Sequence, residues 1–298
     1  MFLSGIQLRL RLDLSPNVFV GDSRLQPEAP ARPAGGDPPL VEKRSGMTER
    51  KELMIKLAVS GCLGRMGQRI ASLALEDKSF KIVSLLENKE HPDISRDRLQ
   101  SVSTFLNIPV SADSSTLKGA QVLIEFTTPV ATLEHLEICK KYKVKMVIGT
   151  TGFSGDQIQE IKKASKILPI VFSSNMSVGV NVLFKLAKEA AARFGPDYQV
   201  KIIEAHHVHK KDAPSGTAKT IAEIIEQSSQ RKISDIQSIR EGETIGDHQI
   251  IFESVVDNLT ISHHAKTRDI FAKGALVAAK FLAKKQKGLF SMQDVLGI

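Results

Sequence analysis

The stretch IKLAVSGCLGRMG, residues 55–67, decides the fold of this chain. Its first six residues are the apolar run typical of a buried strand, and residues 65–75 have the spacing of an amphipathic helix. A glycine-rich turn between a strand and a helix lets a ligand approach the backbone, and the helix start offers free N–H groups to a phosphate. Many such turns bind nothing, and G-x-x-G-x-x-G differs from the G-x-G-x-x-G spacing, so the interpretation depends on the neighbouring residues.

An acidic residue follows the second predicted strand, residues 81–86. This residue, Glu87, has the place at which a carboxylate commonly binds the ribose hydroxyls of a dinucleotide. Asn88, Lys89 and Arg65 are near enough in the sequence to meet a 2′-phosphate as well. We therefore predict a dinucleotide site that takes NADH or NADPH.

Strands and helices then alternate through the first half of the chain. The predicted strands are residues 122–126, 144–148 and 170–172, and the predicted helices between them are residues 129–142 and 156–166. Residues 90–120 show little periodicity and are interpreted as a long, partly irregular connection. Repeated strand-helix units predict an α/β fold: a Rossmann-type, doubly wound parallel sheet with ligands at the carboxyl ends of its strands.

The predicted cofactor contacts lie in the glycine-rich turn, after the second strand and at two later strand ends. They are Gly61, Cys62, Leu63, Gly64, Arg65, Met66, Glu87, Asn88, Gly149, Thr150, Thr151, Ser173, Ser174, Asn175 and Met176. The two later groups are small or polar and would line the nicotinamide half of the cofactor. Ordinary surface turns have the same composition, which is the alternative for those two groups.

The pattern changes after residue 176. A long helix, residues 178–194, precedes predicted strands at residues 199–206, 235–240, 248–254 and 258–264. Runs of strands with few helices between them predict a second, smaller α+β domain with an open or mixed sheet. A last helix, residues 270–284, has small residues on one face and is expected to return to the first sheet.

Three regions follow from these patterns. Residues 51–176, completed by residues 268–298, are the predicted dinucleotide-binding domain, and residues 177–267 are the predicted substrate-binding and oligomerisation domain. Residues 1–50, rich in proline and glycine between 26 and 46, are expected to be a disordered extension. A start at Met47 or a weak targeting segment are alternatives for that extension.

The richest chemical cluster is EAHHVHKKDAPSGTA, residues 204–218. It lies between an apolar strand and a predicted helix, residues 218–225, and Pro214 suits the first turn of that helix. The free N–H groups of Gly216 and Thr217 would then form an anion site. Because two lysines and three histidines share this corner, the expected ligand is a small carboxylate that exchanges protons while it is bound.

Simpler explanations apply to each of these residues alone. A single histidine is more often structural, a lysine pair is usually solvated, and Pro-Ser-Gly-Thr is an ordinary helix cap. A metal site is the sharper alternative, since His207 and His209 alternate onto one face and Asp212 follows, as in the H-x-H-x-D clusters of metallohydrolases. The spacing to Asp212 is one residue too long and the two lysines repel a cation, so we predict no metal.

Composition limits the classes of partner. A net charge of +8 suits small anions, whereas dispersed lysines and 5% aromatic residues argue against nucleic acid. Cys62 and Cys139 are the only cysteines in the sequence, which favours a reducing cytoplasm. Apolar runs stay short of membrane-spanning length, so we expect no membrane partner.

From about residue 55 to its end, the chain resembles the dihydrodipicolinate reductase family. The motifs that carry the resemblance are GCLGRMG (61–67), VIGTTGF (147–153), SNMSVGVN (174–181), the corner at 204–218 and the tail GLFSMQDVL (288–296). The corner is the most specific of them. Two departures from the family pattern are a shorter segment near residues 240–250 and Asn88, where many relatives place a basic residue.

The resemblance implies reduction of 4-hydroxy-tetrahydrodipicolinate, also called dihydrodipicolinate, to tetrahydrodipicolinate by NADH or NADPH in lysine and diaminopimelate biosynthesis. It implies that His206 is a general acid/base and that Lys210 donates a proton. The residues implied to bind the dicarboxylate are His207, Ser215, Gly216, Thr217 and Arg268. It also implies a homo-oligomer, which is a tetramer in the family.

Two alternatives stay open from the residues alone. One is another two-domain NAD(P) oxidoreductase that acts on a different small carboxylate. The other is a non-catalytic dinucleotide sensor that uses the same glycine-rich turn to report redox state to a partner.

Overall fold

A computed structural model describes residues 54–92, 94, 108–230, 232–233 and 235–298. The predicted disordered extension, residues 1–50, lies outside the described residues, and so does part of the predicted irregular connection over 90–120. The described residues belong to one compact unit.

The described residues form two sheets and the helices that cover them. In chain order the strands are β1 (Ile55–Ser60), β2 (Phe80–Leu86), β3 (Val110–Ser111), β4 (Val122–Glu125), β5 (Lys145–Ile148), β6 (Pro169–Phe172), β7 (Gln199–His206), β8 (Ile236–Arg240), β9 (Asp247–Glu253), β10 (Asn258–His264) and β11 (Gly288–Phe290). The α-helices are α1 (Arg65–Glu76), α2 (Pro129–Tyr142), α3 (Gly155–Ala164), α4 (Val178–Ala191), α5 (Gly216–Ser229), α6 (Asp269–Ala283) and α7 (Met292–Leu296). These elements confirm the predicted order, and most boundaries agree within a few residues.

The first sheet is parallel and doubly wound, as predicted. Its strand order is β11-β6-β5-β4-β1-β2-β3, and every neighbouring pair runs parallel. Apolar residues of α1 and α6 pack on one face, and apolar residues of α2 and α3 pack on the other. Strands covered on both faces bury nearly every side chain, which explains the continuous apolar runs in the sequence.

The second sheet is smaller and mixed, as predicted. Its strand order is β10-β9-β7-β8, with β7 antiparallel to β9 and parallel to β8. Helices α4 and α5 cover one face, where Ile202, Ile250 and Phe252 are buried. The alternating burial along β9 is typical of a sheet with only one face against the core.

Helix α6 packs against the first sheet as the small residues on its face indicated. A Cβ on Gly274 would lie 1.7 Å from the carbonyl oxygen of Met176, so only glycine lets α6 pass this close to the β6–α4 connection. After α6 the chain adds β11 beside β6, a short strand that the sequence pattern did not indicate.

The helix after the histidine-rich corner is longer than predicted, and Pro214 is not part of it. Ser215 is the N-cap of α5, and its hydroxyl accepts a hydrogen bond from the N–H of Ala218. The prediction that Pro214 lies in the first turn is therefore wrong, because the serine cap fixes the helix start two residues later.

Candidate active site

The glycine-rich turn brings three backbone segments into close contact. Gly61 has a φ of +70°, and a Cβ there would lie 2.5 Å from the carbonyl oxygen of Phe126. A Cβ on Gly67 would lie 2.1 Å from the carbonyl oxygen of Gly61. Side chains at either position would push the turn away from β4 or from α1, so both glycines are required by packing as well as by conformation.

Helix α1 begins without a side-chain cap. Its N-cap is Gly64, which has no side chain to offer, and the N–H of Gln68 is the donor to the Gly64 carbonyl at 3.0 Å. The N–H groups of Arg65, Met66 and Gly67 therefore have no carbonyl one turn earlier in the helix. These donors and the helix dipole suit the pyrophosphate of a dinucleotide.

Glu87 holds the glycine-rich turn from the end of β2. One oxygen of its carboxylate accepts the N–H of Leu63 at 2.9 Å, and the other accepts the N–H of Asn88 at 2.9 Å. Glu87 also lines the glycine-turn cavity, of about 970 Å³. The residues around this cavity are Ser60, Gly61, Gly64, Glu87, Asn88, Lys89, Glu90, His91, Ala112, Phe126, Thr127, Thr128, Val130, Ala131, Glu134 and His135.

A buried carboxylate behind this cavity was not predicted from the sequence. Glu125, at the end of β4, is fully buried and accepts hydrogen bonds from the hydroxyl of Thr127 and from Nδ1 of His135, the latter at 2.8 Å. Burial alone would lower the pKa of His135, but the hydrogen bond and charge of Glu125 outweigh it and raise that pKa. His135 is one helical turn and a half into α2, so only the packing of α2 on β4 brings the pair together.

The central cavity, of about 410 Å³, lies where the two sheets meet. Its lining residues are Arg65, Met66, Phe126, Gly149, Thr151, Ser174, Asn175, Met176, His206, His207, Lys210, Thr217, Ile245, Arg268 and Phe271. Twelve of these were predicted from the sequence, and the apolar residues Phe126, Ile245 and Phe271 were not. Phe126 lines both cavities, and its ring occupies the space that a side chain on Gly149 would fill.

The predicted cofactor residues divide between the two cavities. Gly61, Gly64, Glu87 and Asn88 line the glycine-turn cavity, whereas Arg65 lies in the central cavity with the later strand ends. Of the two basic residues predicted near a 2′-phosphate, Lys89 therefore lies with Asn88 in the glycine-turn cavity and Arg65 does not.

Four predicted cofactor residues support the cavities from behind. The thiol of Cys62 is fully buried, and burial together with the charge of Glu87 raises its pKa to about 12. The side chain of Leu63 packs against the apolar core between the first sheet, α1 and α6. The hydroxyl of Thr150 accepts a hydrogen bond from the N–H of Thr127, and the hydroxyl of Ser173 donates one to the carbonyl of Asn175.

His206 is the last residue of β7 and lines the central cavity. Its Nδ1 lies 2.5 Å from Oε2 of Glu204, two residues earlier on the same face of the strand. Burial, reinforced by the charges of Lys210 and Arg240, outweighs Glu204 and lowers the pKa of His206. Because a carboxylate only accepts, Nδ1 carries the proton of the neutral ring, and Nε2 is the nitrogen left to exchange one.

Glu204 is itself buried and paired with Arg240. Arg240 donates to both oxygens of Glu204, from Nη1 at 3.0 Å and from Nη2 at 2.8 Å. Burial alone would raise the pKa of Glu204, but the hydrogen bonds from Arg240 and His206 lower it to about 2. The sequence held one signal for this arrangement, the two-residue spacing of Glu204 and His206 on a strand.

The Lys210 ammonium lies 2.8 Å from Oδ1 of Asp212 and borders the central cavity. Burial alone would raise the pKa of Asp212, and the hydrogen bond from Lys210 overcomes it, so that this pKa is lowered. The central cavity is therefore bordered by both the Lys210 ammonium and His206, as the sequence indicated.

The start of α5 is held by side chains on three sides. The hydroxyl of Ser215 lies 3.2 Å from Nε2 of His248, and its N–H donates to Oε1 of Glu204 at 3.1 Å. The hydroxyl of Thr217 accepts from Nδ2 of Asn175 at 3.1 Å, which ties the helix start to the end of β6. Ser215 and Gly216 do not border the central cavity; Thr217 does.

His248 escaped the sequence prediction. It is almost fully buried, with its ring centroid 5.2 Å from that of His206. Burial, together with the charge of His206, lowers its pKa to about 4. The ring is therefore neutral at physiological pH.

His207 borders the central cavity and has one ring nitrogen that is unpaired among the described residues. Its Nδ1 is buried and lacks a hydrogen-bond partner within the described part of the chain. Since His207 lines the central cavity, a carboxylate there could meet both this imidazole and the first-turn N–H groups of α5.

Two features are absent from the described residues: a metal-binding cluster and a membrane-spanning helix. None of their groups of histidine, cysteine, aspartate or glutamate has the placement that a metal ion needs, and His209 is an exposed side chain 3.6 Å from Glu243. The helices in the same ranges are too short or too polar to cross a membrane.

Comparison with known proteins gives a consistent result. The family model "Dihydrodipicolinate reductase, N-terminus" matches residues 55–176, and "Dihydrodipicolinate reductase, C-terminus" matches residues 179–296. The 4-hydroxy-tetrahydrodipicolinate reductases of Nitrosomonas eutropha and Polynucleobacter necessarius are 41% and 40% identical to this chain, over 82% of it and 99% of each relative.

Solved structures agree with this. The dipicolinate-bound dihydrodipicolinate reductase from Paenisporosarcina sp. TG-14 superposes with a TM-score of 0.68 at 28% identity, over 81% of this chain and 99% of that one. An amine dehydrogenase from Mycobacterium smegmatis shares the fold at 11% identity, with a TM-score of 0.58 over 80% of this chain and 95% of that one. By sequence and by structure, the chain belongs to the dihydrodipicolinate reductase family.

Proposed function

We propose that this protein reduces 4-hydroxy-tetrahydrodipicolinate to tetrahydrodipicolinate with NADH or NADPH, with the 4-hydroxyl group leaving as water, in lysine and diaminopimelate biosynthesis. Family membership supports the reaction. The observation that carries the proposal is the placement of two helix starts with unpaired N–H groups at two cavities that share Phe126. One helix start suits a dinucleotide and the other suits a dicarboxylate.

The dinucleotide would lie along the carboxyl ends of β1, β2, β5 and β6. The start of α1 would hold its pyrophosphate, Glu87 would face its adenosine ribose, and Thr151, Ser174 and Asn175 would line its nicotinamide half. The bound nicotinamide supplies the hydride.

The substrate would occupy the side of the central cavity nearest the second sheet. Its two carboxylates call for hydrogen-bond donors, and the candidates that border the cavity are the N–H and hydroxyl of Thr217, the imidazole of His207, and Arg268. Ser215 and Gly216, which do not border the cavity, would serve this site by forming the helix start that presents Thr217 to it.

Proton transfer would fall to Lys210 and His206. The ammonium of Lys210 is a donor next to Asp212, and the Nε2 atom of His206 can give or take a proton as the ring is reduced. Apolar side chains from Phe126, Ile245 and Phe271 border the same space and reduce its water content.

The test is a steady-state assay with the freshly generated cyclic intermediate and each cofactor, following loss of the reduced nicotinamide. We expect turnover with this intermediate and none with simple 2-oxo acids. Lys210→Met should lower kcat about 100-fold or more while the Kd for NADH stays within about twofold. Lys211→Met, the exposed neighbour, is the matched control and should behave like the wild type.

Two outcomes would contradict the proposal. One is turnover of 2-oxo acids in preference to the cyclic intermediate. The other is equal activity of Lys210→Met and Lys211→Met, which would take Lys210 out of the chemistry.

A homo-oligomer in the cytoplasm completes the proposal. The face of the second sheet opposite α4 and α5 carries the half-buried residues Ile203, Ile239 and Ile251, an apolar surface that suits a second copy. Light scattering after gel filtration should give the mass of a tetramer, and a monomer at micromolar concentration would contradict it. The two reduced cysteines, both buried, are what supports a cytoplasmic location.

A further inference from the structure

One buried carboxylate touches three separate parts of the candidate site. Oε2 of Glu204 binds Nδ1 of His206, and Oε1 accepts the N–H of Ser215 at the start of α5. The side chain of Glu204 has no solvent exposure, and Arg240 binds both of its oxygens. Glu204 therefore connects the proton-exchanging histidine to the helix start that faces the substrate.

Arg240 extends this connection to the lysine. Besides its two bonds to Glu204, its Nη2 donates to the backbone carbonyl of Asp212 at 2.6 Å. Asp212 in turn binds the ammonium of Lys210 through its carboxylate. The position of Lys210 thus depends on the same guanidinium that holds Glu204.

Sheet register explains how these residues meet. The parallel pairing of β7 and β8 places Arg240 opposite His206, and the antiparallel pairing of β7 and β9 places His248 opposite Glu204. Neighbours that face each other across strands have side chains on the same side of the sheet. Backbone hydrogen bonding therefore places all four side chains on one face of the sheet as neighbours.

Stability alone does not account for such a pair. A buried ion pair gives little net stabilisation over well-packed apolar residues, because both charges lose their hydration. What an ion pair does provide is a fixed geometry for the groups that share it. Here those groups are an imidazole, a helix start and a loop that carries an ammonium.

We propose that Glu204 and Arg240 are a positioning pair for the reaction. Glu204 keeps the proton of the neutral His206 ring on Nδ1, so that Nε2 points away from the carboxylate as the working nitrogen. Arg240 fixes the Glu204 carboxylate and the Lys210 loop at the same time. This inference rests on the proposed function, since it assumes that His206 exchanges a proton with the substrate.

Four charged or titratable groups face His206. They are Glu204 from β7, Arg240 from β8, His248 from β9 and Lys210 from the loop after β7. Glu204 is the one of these that raises the pKa of His206. Replacing it with a neutral residue should therefore move the His206 limb of the pH–rate profile to lower pH.

The test is a double-mutant cycle between Glu204→Gln and His206→Asn. We expect Glu204→Gln to lower kcat about 100-fold in the wild-type background, and less than about threefold further in the His206→Asn background. The Kd for NADH, measured by cofactor fluorescence, should change less than about twofold. Glu253→Gln, an exposed carboxylate on β9, is the matched control and should leave kcat unchanged.

Nitrogen NMR of the histidine rings adds a readout that a purely structural role would not move. The wild type should show the proton of neutral His206 on Nδ1, and Glu204→Gln should shift the tautomer toward Nε2. If Glu204→Gln fails to fold because Arg240 is left unpaired, the cycle is run with Glu204→Gln/Arg240→Met, which removes both charges together.

The two possible failures are distinguishable. Equal losses from the Glu204 substitution in both His206 backgrounds, or an unchanged His206 tautomer, would overturn the positioning role alone. A His206→Asn variant with the kcat of the wild type would instead overturn the proposed function.

Discussion

The starts of α1 and α5 both suit an anion, but they are built from different residues. Helix α1 begins at Gly64, with no side-chain cap and glycines on both sides of the turn. Helix α5 begins at Ser215, capped by its own hydroxyl and held by Glu204 and His248. The first leaves backbone N–H groups bare for a large anion, whereas the second aligns a helix start with ionisable side chains for a small one.

The site at the start of α1 therefore depends on packing, and the site at the start of α5 depends on charge. At α1 a single added methyl group should be enough to weaken dinucleotide binding, because the backbone segments are already in contact. At α5 the sensitive quantities should be hydrogen bonds and protonation.

The largest effect is expected from Gly67→Ala. The added Cβ would lie 2.1 Å from the carbonyl oxygen of Gly61, so the turn must move away from α1. We expect the Kd for NADH to rise about 100-fold, near 3 kcal/mol, with circular dichroism unchanged. Gly155→Ala, at a helix start with open space around the Cβ, is the control. Wild-type affinity in Gly67→Ala would show that the turn tolerates displacement.

His248 should make stability depend on pH at the other helix start. Its pKa is lowered from the ordinary 6.5 to about 4, so the unfolded chain binds the proton more readily and stability falls as pH drops through this range. Between about pH 7 and pH 5 the free energy of unfolding should lose about 2 kcal/mol through this residue, measured by urea titration. His248→Gln should flatten that slope and the exposed His209→Gln should not. Equal slopes in both variants would contradict the burial of a neutral ring.

Sequence patterns predicted most of the first sheet, but only part of the group of side chains around the start of α5. β1 and α1 were predicted because apolar period and glycine spacing are local signals. Arg240 and His248 were missed because they reach Glu204 only through strand register, which joins residues more than thirty positions apart. β11 was missed for a similar reason, since three residues are too few to show a period before they pair with β6.

A smaller effect separates two serine caps with the same local geometry. Ser215→Ala and Ser154→Ala each remove an N-cap hydrogen bond, at α5 and α3, and each should cost about 1 kcal/mol of unfolding free energy. Only Ser215→Ala should also weaken the binding of dipicolinate, about fivefold by calorimetry. Equal dipicolinate affinity in the two variants would show that the start of α5 does not contribute to substrate binding.

The smallest effect concerns Glu87. Its carboxylate accepts the N–H groups of Leu63 and Asn88 and is predicted to meet the ribose hydroxyls. Glu87→Gln should weaken NADH about threefold and leave NADPH unchanged or slightly tighter, because the lost charge no longer repels a 2′-phosphate. Glu76→Gln, at the exposed end of α1, controls for net charge. Equal weakening of both cofactors would count against the ribose contact.

The most direct measurement is a crystal structure of the protein with a nicotinamide dinucleotide and dipicolinate bound together. We predict pyrophosphate oxygens on the N–H groups at the start of α1, one carboxylate on Thr217, and the dipicolinate ring between the nicotinamide and His206. A dipicolinate ring bound away from His206 and Thr217, or a pyrophosphate bound away from Arg65 and Met66, would contradict this prediction.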